Sequence, residues 1–136
     1  MLKKRHVKQF TTALMLIAAL VLFGCRSTPI YNVSDAPVNT NTNEYTTENV
    51  KKAIIKAGVV AGWQIRVMEP GKLSGTLHMR HHTAKIDILY STTGYSLLYN
   101  DSDQLNYNVE TGEIHKNYNV WIQNLDRTIQ SQLLAL

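Results

Sequence analysis

The chain has 136 residues, 44% of them apolar, which suits one small globular domain and excludes a wholly disordered polypeptide. Its formal charge of +4 is gathered at one end: Lys3, Lys4, Arg5 and Lys8 precede any acid, and from Arg26 onward ten basic side chains face ten acidic ones. The excess therefore belongs to a leader, and its distribution argues against nucleic acid as a partner.

Residues 1–25 fall into three zones. The basic stretch stays on the cytoplasmic side of a membrane, because cations cross hydrocarbon at high cost. Eleven apolar residues follow, from Ala13 to Phe23. A spanning helix needs about 20 such residues and an export signal about 7–15, so a signal peptide over residues 1–24 is predicted. The run closes on Leu22-Phe23-Gly24-Cys25. This resembles the lipobox of bacterial lipoproteins, with Phe23 bulkier than is usual at its position. The resemblance implies that Leu22 and Gly24 occupy signal-recognition positions, and that Cys25 receives a diacylglyceryl group and becomes the acylated amino terminus after cleavage. Arg26, in place of the aspartate that resembles an inner-membrane retention signal, implies the outer membrane, facing the periplasm. Several acyl chains, at about 0.8 kcal/mol per buried CH₂, make such an anchor effectively permanent. Cys25 is also the sole cysteine, so packing rather than a disulfide must stabilise the exported part.

Residues 25–45 read as the lipidated cysteine followed by a flexible tether. Two of the three prolines lie here, with Asn39-Thr40-Asn41-Thr42-Asn43, and such a composition buries too little apolar surface to offset the entropy of ordering. Ile30, Tyr31 and Val33 are the exceptions, suited to weak docking.

The globular domain is expected over residues 46–136. Thr46 or Thr47 caps a helix with Glu48 in its first turn, and Val50, Ala53, Ile54 and Ala57 share one side; Gly58 or Gly62 stops it, Gly58 being favoured because the helix is then short but clean. From Trp63 the period changes to alternation, with Trp63, Ile65 and Val67 on a core face. The turn Glu69-Pro70-Gly71-Lys72 leads into a strand over residues 73–82, placing Leu77 and Met79 inward and His78, Arg80 and His82 outward. Ala84, Ile86, Ile88 and Tyr90 point inward from a third strand, Lys85 and Asp87 outward. Thr92-Thr93-Gly94 turns into a fourth strand over residues 95–100, and Asn100-Asp101-Ser102-Asp103 breaks the pattern. Residues 105–112 read as loop or weak strand. Trp121, Leu125, Ile129 and Leu133, widened by Tyr118 and Ile122, predict a helix over residues 117–134. The expected class is α+β: a two-layer domain in which a four-stranded antiparallel meander carries both helices on one face.

Gly62-Trp63, Pro70-Gly71, Arg80-His81, Tyr90, Tyr118-Asn119, Trp121-Ile122 and Leu125 together resemble a pattern in small proteobacterial lipoproteins. That group has no assigned activity, so the resemblance implies location and fold and carries over no catalytic residue.

His78, His81, His82 and His115 form the conspicuous polar set. Metal binding needs three or four ligands about 2.0–2.3 Å from one ion. Strand geometry sends His81 and His82 to opposite faces and separates His78 from His82 by about 13 Å, leaving only His82 and one distant partner able to meet. No metal or other cofactor is expected. Asp101 and Asp103 read as turn chemistry rather than a calcium loop. No nucleophile elbow, zincin helix or phosphate-cradling loop occurs, so an enzyme is not expected. Trp63 and Trp121 fall on core stripes. The candidate binding face is the wet side of the sheet, where Arg66, His78, Arg80, His82 and Lys85 would cluster around Asp87. The expected function is a non-enzymatic interaction module anchored in the membrane lipid through Cys25 and presented to a periplasmic or outer-membrane protein. The alternative is a small anionic-ligand or metal-binding module using the Arg/His face.

Overall fold

The computed structural model describes residues 26–136; Leu22, Gly24 and Cys25, and with them the predicted signal and acylation site, lie outside the described residues. Among the described residues, seven strands and two helices follow one another as β1 (Ser27–Pro29), β2 (Val33–Pro37), α1 (Thr47–Val60), β3 (Gln64–Glu69), β4 (Lys72–Met79), β5 (His82–Tyr90), β6 (Gly94–Asp103), β7 (Glu113–His115) and α2 (Lys116–Leu134). The main sheet is antiparallel with strand order β2-β6-β5-β4-β3, and β1 pairs with β7 in a separate two-stranded ribbon. The class is α+β. The expected meander is present as β3 to β6, and the sheet has five strands rather than four.

The fifth strand comes from the segment expected to be a flexible tether. Val33 sits opposite Leu97 and Ala36 opposite Tyr95, with Val33 buried at 6% exposure. Side-chain amides and hydroxyls, some its own and one from α2, satisfy backbone groups that an irregular segment would leave bare. Tyr31 N donates to Asn119 Oδ1 at 2.9 Å, Asn119 Nδ2 donates to Pro29 O at 2.9 Å, and Tyr99 N donates to Asn32 Oδ1 at 2.9 Å. The Tyr45 hydroxyl reaches Thr92 O at 2.7 Å. Pro37 is tolerated because β2 is an edge strand, where a missing N–H breaks no interior ladder. Order extends to the first described residue, since Lys116 N donates to Arg26 O at 3.0 Å.

Helix α1 begins in a reciprocal capping box: Asn49 N donates to Thr46 Oγ1 at 3.2 Å, and Thr46 N to Asn49 Oδ1 at 2.8 Å. It runs past Gly58 to Val60. Gly58 lies inside the helix because an added Cβ there would overlap the Ile65 side chain, so the glycine is a packing device instead of a stop. The chain reverses at Gly62, whose φ of +85° suits glycine. Both helices cover the sheet face that carries Leu73, Leu77, Ala84, Ile86, Ile88, Tyr95 and Leu97. Tyr118, Ile122, Leu125, Ile129 and Leu133 enter this core from α2, and Trp63 seals it beside Gly75. Val67, expected inward, is 58% exposed near the end of β3. Among the described residues no helix is long and apolar enough to cross a membrane.

Candidate functional site: the open sheet face and the histidine end

The face of the sheet away from the helices holds a shallow groove of about 370 Å³. Gln64 and Arg66 reach it from β3, Ser74, Thr76 and His78 from β4, Lys85 and Asp87 from β5, and Asn100 from β6. Register explains the grouping: Arg66 stands opposite Ser74, Thr76 opposite Lys85, and Ser74 opposite Asp87, so alternation brings these side chains out on one side. Arg66, His78 and Lys85 are thus brought together as the sequence predicts.

Arg80 and His82 are not, which corrects the expected binding face. The strand expected to run to residue 82 ends at Met79, and a two-residue turn, Arg80-His81, pairs Met79 with His82. Arg80 takes a φ of +56°, a left-handed conformation that a non-glycine residue adopts at some cost. With the strand broken there, His82 opens β5 two residues before buried Ala84, on the covered side. Met79, expected in the core, is 43% exposed beside the turn.

Acids temper the charge of the groove. Lys72 Nζ lies 3.8 Å from Asp87, Asn100 Nδ2 donates to Asp87 Oδ2 at 3.2 Å, and Lys85 stands opposite Asp101. Asp101 and Asp103 belong to β6 rather than to a turn, because Asn100 is an extra residue in a bulge that lets the strand continue. His78 Nδ1 lies 3.1 Å from Thr83 Oγ1. Arg66 has no carboxylate within ion-pair distance among the described residues. Chemically the groove offers one unpaired guanidinium, an imidazole and several neutral donors, a set suited to weak capture of a small anion.

The distant partner that His82 meets is His115. Their rings lie 5.9 Å apart at 27°, and Trp121 packs 6.2 Å from His82. His82 Nδ1 donates to Gln104 O at 2.7 Å, while His115 Nδ1 accepts from Asn117 N at 3.2 Å as the N-cap of α2. Burial holds the His115 pKa below its usual value, helped by the neighbouring His82, Arg26 and Lys116. Among the described residues, no three His, Cys, Asp or Glu side chains converge as a metal set.

At the margin of the core lies a partly buried polar cluster that strand and helix periodicity does not reveal. The Tyr95 hydroxyl donates to Asp126 Oδ1 at 2.5 Å and accepts from Gln130 Nε2 at 2.7 Å. Burial and the Asp126 carboxylate push the Tyr95 pKa far up. The buried Tyr118 hydroxyl has no partner among the described residues, and burial raises its pKa too. A tyrosine at an inward strand position signals only apolar bulk; the hydroxyl's partners depend on which turn of α2 crosses it.

Comparison with protein-family models, curated proteins and solved structures finds no match for this chain.

Proposed function

We propose that this protein is an envelope lipoprotein, acylated at Cys25, whose α+β domain acts as a non-enzymatic interaction module for a periplasmic or outer-membrane protein. The observation that carries the reading is the position of Cys25. It closes the apolar run Ala13–Phe23 and stands one residue before Arg26, whose carbonyl is already hydrogen bonded to α2. An acyl group at that sulfur would attach directly to a folded body. The leader's four cations ahead of the run support the same reading.

The test has two arms. Cells producing the chain and fed a labelled fatty acid should label it, and Cys25→Ala should abolish that label; a label that persists overturns the anchoring. Crosslinking in intact cells should then capture one recurrent envelope protein. Capture equal to that by an unrelated lipoprotein carrying the same leader would contradict the interaction role.

The groove supports a second reading, binding of a small anion between Arg66, His78 and Lys85. Calorimetry with inorganic phosphate should detect binding that Arg66→Glu removes and Arg80→Asn leaves unchanged, since Arg80 is not in the groove. Equal binding by both variants excludes the groove.

A further inference from the structure

The order of the chain up to Arg26 bears on how the domain is held. A free tether of about twenty residues would let the domain turn in any direction, with an average span of about 25 Å. Here the backbone is tied to the fold from Arg26 onward, through its carbonyl and through the pairing of Ser27 with His115. The surface where the chain emerges must therefore lie close to any membrane that holds residue 25.

That surface has a distinct character. The Arg80-His81 turn lies beside it, because His82 packs on His115, and Lys116 follows His115 at the start of α2. Arg26, Arg80 and Lys116 are all exposed, and none has a carboxylate within ion-pair distance among the described residues. Asp103, opposite Thr83, is the acid on the two sheet rows next to the turn. Helix α1 ends here too: Gln64 starts β3 opposite Thr76, and a Cβ on Gly62 would lie 3.7 Å from Leu77. That end leaves Val59 at 67% and Val60 at 66% exposure, and Met79, two residues beyond Leu77 on β4, is exposed as well. Unpaired cations interleaved with exposed aliphatic side chains are what an interfacial surface needs, the apolar groups entering the headgroup boundary and the cations meeting phosphate.

We propose that this end of the domain, formed by the Arg80-His81 turn, the close of α1 and the start of α2, lies on the membrane and docks on anionic phospholipid headgroups. The proposal rests on the anchoring at Cys25. It fixes the domain's orientation, so that the opposite end, with the Gly71 and Thr92-Thr93-Gly94 turns, faces away from the bilayer. The two ends are separated by β5, nine residues long, or about 30 Å.

The full chain, extracted from producing cells, is reconstituted in phosphatidylcholine vesicles with or without phosphatidylglycerol. A fluorophore on His81→Cys or Thr93→Cys reports energy transfer to a headgroup-labelled lipid. Docking predicts strong transfer from position 81 and weak transfer from position 93. The contrast should shrink in neutral vesicles, in high salt, and in Arg80→Asn combined with Lys116→Gln. Asn suits the left-handed backbone at residue 80, so the variant keeps its fold. Each cation lost should lower the docked fraction relative to the undocked roughly fivefold. Equal transfer from the two positions overturns the proposal, as does a contrast indifferent to lipid charge, salt and the variants. Thiol labelling of the unsubstituted chain separates the two claims: an acylated Cys25 takes up no dye, whereas uptake of one dye overturns the anchoring. In that event flotation of the unanchored chain with the same vesicles judges the docking surface alone, retention by anionic vesicles supporting it and loss overturning it.

Discussion

Tyr118 and Tyr95 share one core and differ in what their hydroxyls meet. Tyr118 brings a hydroxyl into apolar surroundings without a partner, so Tyr118→Phe removes a desolvated polar group at no loss of contact and should stabilise the fold by about 1 kcal/mol. Tyr95→Phe instead strips Asp126 and Gln130 of their shared partner and should cost about 1–3 kcal/mol. Urea unfolding of the two variants checks the contrast in sign. His115 makes a third residue-scale prediction. Its Nδ1 must be unprotonated to cap α2, and its pKa in the fold lies below the ordinary 6.5. The unfolded chain then binds the proton more readily, so stability falls as pH drops through 6.5 toward the lower folded value, and none of this term is lost above it. Melting temperatures measured from pH 7.5 to 5 should show the fall, and His115→Asn, which caps without titrating, should flatten it. None of these three roles is legible in the sequence: what surrounds each tyrosine hydroxyl depends on elements far along the chain, and the His115 cap depends on where α2 begins. The displacement of Arg80 and His82 had a more local cause. Strict alternation carries a strand through residue 82, and nothing in an Arg-His pair announces a positive φ in the way that Asn-Gly would.

At the scale of elements, the alternating strands and the 3.6-residue stripe of α2 could be read directly because burial repeats within each of them. The segment from Arg26 to Tyr45 could not. Its composition is that of a chain unable to bury apolar surface, yet Val33 is buried in the core, Ile30, Ala36, Val38 and Tyr45 pack against it, and Asn32 and the α2 residue Asn119 serve backbone groups across long stretches of sequence. Amides that look like solvent-facing polarity act as sheet partners. Helix α1 extends past Gly58 for a related reason: the glycine is needed for the close approach of Ile65, a contact made only when β3 folds back. The structure makes β2 part of the core. Val33→Asp should therefore cost on the order of 3 kcal/mol, measured by chemical denaturation, since it buries a charge beside Leu97. A change within about 0.5 kcal/mol would mean that the segment is a tether after all.

For the whole molecule, the sheet closes one side of a core, its other side offers a tempered groove, and one end collects exposed aliphatics and cations that have no ion pair among the described residues, around Arg26. The class of the fold follows from local periodicity, whereas the grouping at that end follows from topology: antiparallel order returns the Arg80 turn, the close of α1 and the start of α2 to the same place. The proposed role as an anchored module depends on the chemistry of Cys25 more than on any other residue. Intact mass of the protein extracted from envelopes tests it most directly. The expected species is a chain that begins at Cys25 and carries the added mass of a diacylglyceryl group and an amide-linked acyl chain. A mature chain of unmodified mass, beginning at some other residue or retaining residues 1–24, would contradict it.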